Sequence, residues 1–297
     1  MDVIINIIKV TLLSIIEGVT EFLPISSTGH LILANQWIGL EPQGFANAFN
    51  IIIQLGAILS VIVIYWKRLN PWYSEDPHFA QKPKRYAQWN KQTRIYYNVT
   101  HVNPRTMALW LRVIVAVIPS AVVGILFDDL IDEHLMTMPV VTFTLLFYGI
   151  VMIVVERWNA KRKTPQYADP LEFSLQTAFT IGLFQCLALV PGTSRSAATI
   201  IGAMVLGSSR VAAAEFSFFM AIPSMVGATL LKVLKNLGNF TIGQWLLIVL
   251  GFVLSFVVAY VVIQKFMAYV QKKDFKVFGY YRIGLSALLL LYMLLGM

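Results

Sequence analysis

Two carboxylates, Glu17 and Glu21, lie four residues apart in an otherwise apolar stretch, and a short polar run follows at once: EGVTEFLPISSTGH, residues 17–30. On a helix that spacing puts both acids on one face, about one turn apart. Two carboxylates so close in a medium of low dielectric constant cannot both ionise cheaply. One must hold a proton, or a cation or an arginine must sit between them. The bland alternative is a pair of solvated acids at a wet helix end. It is the weaker reading, because FLP and a Ser-rich break follow inside an apolar region, where ionisable groups are functional candidates by default. Ser26, Ser27, Thr28 and Gly29 offer hydroxyls and backbone N–H groups to an anion at a helix start. One of the two serines is also expected to cap the helix that begins near residue 28. His30 ends the run. A lone histidine is usually structural, but this one shares its break with the hydroxyls and acids.

A second break, PGTSRS at residues 191–196, supplies Ser194, Arg195 and Ser196. Arg195 is the one cation expected deep in that region. Its planar fork suits phosphate oxygens, and a counter-ion role towards Glu17, Glu21 or Glu215 competes with that use. Asn50 and Gln54 share a helix face and read as polar glue between helices. Arg210 and Glu215 read as an interfacial anchor and a local ion pair. His78, His101 and His134 fall in polar loops and Cys186 among apolar neighbours, and none is assigned a function.

The elements that carry these residues belong in a bilayer. Apolar residues make up 58% of the chain and charged residues 13%, against about 25% charged in a typical soluble domain; the mean hydropathy is +0.70. Residues 244–263 are long and apolar enough by themselves to cross a membrane. Six segments are expected to span, at roughly 46–66, 107–127, 139–156, 211–231, 244–264 and 280–297. Residues 3–40 and 172–207 are each broken by a proline and a polar run, which reads as short helix, break, short helix. Irregular backbone at membrane depth is tolerated only inside protein or beside a wet cavity, so both regions are expected to be re-entrant hairpins. Arg112, inside the second span, is expected to snorkel to the surface.

The net charge of +8 is a topology signal and does not point to nucleic acid. Of the 23 basic residues, 17 lie in three connecting segments, 67–106, 157–163 and 265–282, and the positive-inside rule puts those in the cytoplasm. Residues 128–138 hold no Lys or Arg and should face outward. Adding 167 to a position in the first half places Pro24 on Pro191, Ser27 on Ser194, Ala46 on Ala213 and Phe49 on Phe216. The expected architecture is therefore an all-α polytopic membrane protein: six transmembrane helices plus two re-entrant helical hairpins, arranged as an inverted repeat. Its halves are 1–157 and 158–297, within a single membrane domain. Both termini and the mouth of the first hairpin would face out. Inverted repeats with broken helices are a transporter architecture, so a lipid-phosphate transporter or flippase is the rival reading. A scaffold protein would explain neither hairpin.

The stretches 17–30 and PGTSRSAAT (191–199) resemble the two signature motifs of the bacterial undecaprenyl-diphosphate phosphatase family, the bacitracin-resistance proteins. AFNIIIQLGAILSVI (48–62) and AEFSFFMAIP (214–223) are also similar to its pattern. The likeness covers essentially the whole chain, although the polar loop 67–106 is longer than the family pattern suggests. It implies an enzyme of the bacterial inner membrane that hydrolyses undecaprenyl diphosphate to the monophosphate and inorganic phosphate on the periplasmic side, recycling the lipid carrier for cell-wall synthesis. Glu17, Glu21, Ser27, His30 and Arg195 match its active-site positions, and a divalent cation, Mg2+ or Ca2+, is implied. The residue chemistry agrees. A diphosphate lipid needs cationic clamps, hydrogen-bond donors and an in-line nucleophile. Arg195 and a cation on Glu17 and Glu21 would clamp, while Ser26, Thr28, Ser194 and Ser196 would donate. Ser27 is the preferred nucleophile, with His30 or Glu21 as its base; direct attack by His30 or by water stays open. The partners are the prenyl substrate and bilayer lipids, and a homo-oligomer is left open.

Overall fold

The computed structural model describes residues 2–76, 79, 83–162, 164–236 and 240–295; His78 lies outside them. Among the described residues there are twelve α-helices and no named β-strand. Six helices are long and apolar enough to cross a membrane: Val3–Thr20, Gln43–Ile64, Pro104–Phe127, Met138–Asn159, Ile242–Val270 and Lys276–Leu294. Large apolar side chains such as Ile4, Phe143, Leu246 and Leu288 face outward along them. This is a multi-pass membrane protein.

The first helix, α1 (Asp2–Thr20), differs from the short hairpin arm expected of it. Its 19 residues rise about 28 Å at 1.5 Å each, close to the hydrocarbon thickness. Glu17 does not interrupt it, because that carboxylate is turned into protein and is 0% exposed. The chain then turns through Pro24, and α2 (Ser27–Ile38) starts on an N-cap, Ser26, whose hydroxyl accepts a hydrogen bond from Gly29 N. After α3 (Gln43–Ile64) and the short α4 (Trp66–Leu69), the polar loop forms α5 (Lys91–Thr100). Helix α6 (Pro104–His134) begins with proline at a first-turn position and Asn103 as its cap, the arrangement in which proline's missing N–H costs nothing. Helix α7 is Met138–Asn159.

The second half opens with α8 (Leu175–Cys186), a single 3-10 turn at Leu187–Leu189, the PGTS break, and α9 (Arg195–Val205) capped by Ser194. Two short apolar helices around a break are what the sequence leads one to expect here. Helices α10 (Arg210–Asn236), α11 (Ile242–Val270) and α12 (Lys276–Leu294) complete the chain. The expected span at 211–231 is the front of α10. Ala212, Ala213, Ala214, Phe216, Phe218 and Phe219 are all buried, so this part of the helix is packed inside protein. The core beside it is built from Ala197, Ile200, Phe22 and Phe266.

Helix α1 packs on α11 and α8 packs on α6; α3 packs on α11 and α10 on α6; α7 packs on α12. Small residues allow close approach, as expected where lipid gives no hydrophobic drive to helix pairing. A Cβ at Gly18 would sit 2.9 Å from Ser255 O. Gly192 combines φ of +87° with contact against Val141 and Thr144, so a side chain there fails on both counts.

Several polar expectations resolve differently. Arg210 and Glu215 do not pair with each other. Arg210 binds Glu156 through Nε at 3.0 and 3.1 Å and Nη2 at 2.8 Å, and Glu215 receives Arg68 at 2.6 Å. Arg112 donates to the Phe173 carbonyl at 2.6 Å, which ties α6 to the start of the second half. Asn50 Oδ1 is buried without a hydrogen-bond partner among the described residues.

Candidate active site

The two breaks meet inside the protein and have the same local geometry. Ser26 and Ser194 are the non-glycine residues with positive φ among those described, 76° and 74°, and each is the N-cap of the helix after its break. That conformation is uncommon outside glycine, and here a capping hydrogen bond holds it at both serines. The structural counterpart of Ser194 is therefore Ser26. The 167-residue offset, which places Ser27 there, is one residue out at this point. Ser27 and Arg195 are instead the matching first residues of α2 and α9.

Those two residues converge on one carboxylate. Ser27 Oγ donates to Glu21 Oε2 at 2.6 Å, and Arg195 Nη2 donates to Glu21 Oε1 at 3.1 Å. Arg195 Nη1 is fixed by the Ser217 carbonyl of α10 at 2.8 Å, and its Nε has no partner among the described residues. Glu21 is buried and its charge is compensated, whereas Glu17 is not. Glu17 neighbours Glu21 and Arg195, yet no donor reaches either of its buried oxygens among the described residues. A carboxylate in that position needs a proton or a cation.

The other predicted residues take different positions around these two breaks. Ser196 Oγ donates to the Leu23 carbonyl at 3.1 Å and lies 3.0 Å from Ser194 Oγ, so it stitches the second break to the first. Thr28 is half-buried in the first turn of α2. His30 does not reach Ser27. Its Nδ1 lies 2.7 Å from the Ser26 carbonyl and its Nε2 lies 2.7 Å from Tyr281 Oη.

Three groups went unnoticed in the sequence. Ser217 anchors Arg195 through its carbonyl and accepts the Thr199 hydroxyl at 2.7 Å. Tyr281 holds His30. Arg282, counted above with the basic loop 265–282, is 0% exposed. Its Nη1 donates to Pro24 O at 3.2 Å, and its Nη2 donates to Gly192 O at 2.8 Å and Thr144 O at 3.3 Å. Arg282 thus binds the backbone of both breaks from beneath and is a second deep cation. The signal available for it was the same as for Glu17: a charge flanked by apolar residues on a helix.

A cleft of about 440 Å³ opens beside the second break, lined by Phe143, Thr144, Phe147, Tyr148, Val190 and Thr193. A larger groove of about 610 Å³ lies among Lys67, Arg68, Glu75, Asp76 and Arg105. None of its lining residues belongs to either break, and its walls carry charges of both signs.

Fold and site together define a multi-pass membrane protein with a buried hydroxyl–carboxylate–guanidinium cluster between two helix breaks. Residues 10–288 match the family model described as "Bacitracin resistance protein BacA", and the chain belongs to that family. It is 48% identical to undecaprenyl-diphosphatase 1 of Clostridioides difficile (strain 630), with 98% of each chain covered. It is 46% identical to the undecaprenyl-diphosphatase of Enterococcus faecalis, with 97% of each covered. The Fusobacterium nucleatum enzyme of that name is also 46% identical, over 95% of this chain and 100% of its own.

Proposed function

We propose that this protein hydrolyses undecaprenyl diphosphate to undecaprenyl phosphate and inorganic phosphate, and that Ser27 is the nucleophile with Glu21 as its base. The observation that carries the reading is the 2.6 Å hydrogen bond from Ser27 Oγ to Glu21, beside a guanidinium whose Nε has no partner among the described residues. Ser27 Oγ attacks the terminal phosphorus as its proton passes to Glu21. The bond from that phosphorus to the bridging oxygen breaks, and undecaprenyl phosphate leaves. Water then hydrolyses the phosphoserine, with Glu21 returning a proton to Oγ. Arg195 donates to the equatorial oxygens, where charge accumulates. On this reading His30 belongs to the rim of the same site, three residues beyond Ser27 in α2.

Glu17 and Glu21 fit a divalent cation, because Glu17 is a buried carboxylate without a donor among the described residues. Mg2+ commonly takes one or two carboxylates and completes its shell with water and substrate phosphate. When bound, the ion would neutralise phosphate charge. The cleft beside Thr193 suits the first isoprene units, with its aromatic walls open towards lipid.

Inverted repetition of the two halves is part of the same reading. Its support is the exchange of partners, α1 on α11 as α8 on α6, and the paired serine caps. With the basic loops inside, both termini and the site mouth face the periplasm. Phosphate release by detergent-solubilised protein tests the function. A hydrolase liberates phosphate without a membrane, whereas a transporter liberates none, and that null result would favour the flippase reading.

A further inference from the structure

His30 is held from two sides. Its Nδ1 lies 2.7 Å from the Ser26 carbonyl. A carbonyl oxygen only accepts, so the proton of the neutral ring is on Nδ1. Nε2 is then the lone-pair nitrogen, and Tyr281 Oη, 2.7 Å away, must be the donor. The two rings stack with centroids 5.7 Å apart and planes 9° from parallel. Tyr281 comes from α12, 251 residues further along the chain, next to the Arg282 that binds both breaks.

We propose that Tyr281 is a positioning residue of the phosphatase site: its hydroxyl caps His30 Nε2, fixing the imidazole and keeping it off Ser27. The proposal rests on His30 belonging to the active site as read above. With Nδ1 bound to Ser26 O and Nε2 capped, His30 has no nitrogen left for the Ser27 hydroxyl, and the base is Glu21 alone. An unprotonated Nε2 would also repel a phosphate oxygen, lone pair against lone pair, and the cap removes that repulsion. Once the ring is protonated, Nε2–H becomes a donor. Phosphate then reaches it by exchanging with Tyr281 Oη, which sits at the exposed side of the pair; Tyr281 is 46% exposed.

Tyr281→Phe removes the hydroxyl and keeps the ring that stacks on His30, so the fold should survive. The test is the rate of carbethoxylation of His30 by diethyl pyrocarbonate in the detergent-solubilised protein, followed by peptide mass. It is run beside kcat and KM for phosphate release. Loss of one hydrogen bond to Nε2 should speed modification roughly fivefold. Turnover should fall with KM little changed, since a looser imidazole affects the reacting complex more than tail binding. A rate of His30 modification equal to wild type would overturn the proposal by itself. Wild-type protein that keeps full turnover with His30 fully modified would overturn the placement of His30 in the active site, whatever the Tyr281→Phe rate.

Discussion

Arg195→Lys separates a phosphate clamp from a structural counter-ion. The guanidinium uses Nη2 on Glu21 at 3.1 Å and Nη1 on the Ser217 carbonyl at 2.8 Å, and Nε has no partner among the described residues. Lysine brings the same charge on one nitrogen, which cannot serve an acid, a carbonyl of α10 and a phosphate in a fixed plane. If Arg195 only balances Glu21, one ammonium suffices and turnover survives. If it clamps phosphate, at least one charge-assisted bond is lost in the transition state. Such bonds are worth about 1.5–3 kcal/mol, and at about 1.4 kcal/mol per factor of ten the loss is roughly 10- to 150-fold in kcat. The misplaced charge pushes the expectation to the upper end, about a hundredfold. The assay is phosphate release from purified protein in detergent, with thermal unfolding measured on the same sample to show that the variant is folded. A folded Arg195→Lys protein with kcat within about threefold of wild type would refute the clamp.

Ser27→Ala should fall to background while His30→Ala retains measurable turnover, because Ser27 and Glu21 are in contact and His30 touches neither; an acid-labile phosphoenzyme on His30 after rapid quench would reverse that order. Glu17→Gln should melt higher than wild type in the absence of divalent ions, since its amide can donate to Glu21, and should need on the order of tenfold more divalent ion for half-maximal rate; unchanged ion dependence in both Glu17→Gln and Glu21→Gln would place the cation elsewhere. Arg282→Met leaves the carbonyls of Pro24, Thr144 and Gly192 without their donor and should destabilise the protein by about 3 kcal/mol, read as a lower melting temperature; an unshifted melt would show that the backbone of the breaks does not depend on it. With Cys186 replaced by Ala, Thr137→Cys should react with an impermeant maleimide from outside intact cells and Gln88→Cys should not; the opposite pattern would invert the proposed topology.

Much of the fold was legible because lipid imposes a simple rule on sequence. A helix must satisfy its own backbone over about 20 residues, so spans such as Gln43–Ile64 and Ile242–Val270 stand out as uncharged runs. The breaks were legible for the complementary reason: Pro24 and Pro191 stop a helix, and serines start the next. Helix α1 is longer than the short arm expected of it, because acids at 17 and 21 look like an interruption when the direction of a side chain is unknown. An acid disrupts a membrane helix only where it faces lipid, and Glu17 faces protein. Hydropathy along the chain carries no such direction.

The site was legible only as two separate motifs, and what joins them was not. That Ser27 and Arg195 meet on Glu21 follows from how the two breaks come together, with Ser196 reaching from the second break to the Leu23 carbonyl of the first. Arg282 shows the limit most clearly. Its partners are backbone carbonyls at residues 24, 144 and 192, and a carbonyl has no side-chain signature. No pattern of acids could have announced this arginine, since none of those partners is an acid. It also lies six residues from Lys276, at the edge of a basic loop, so the charge rule absorbed it. A cation bonded to carbonyls keeps its positive charge, and on the proposed function the two breaks it joins bind a polyanion. An acid partner would have cancelled that charge. If the breaks bind diphosphate as proposed, that uncancelled charge would add to the charge of Arg195 in drawing the anion.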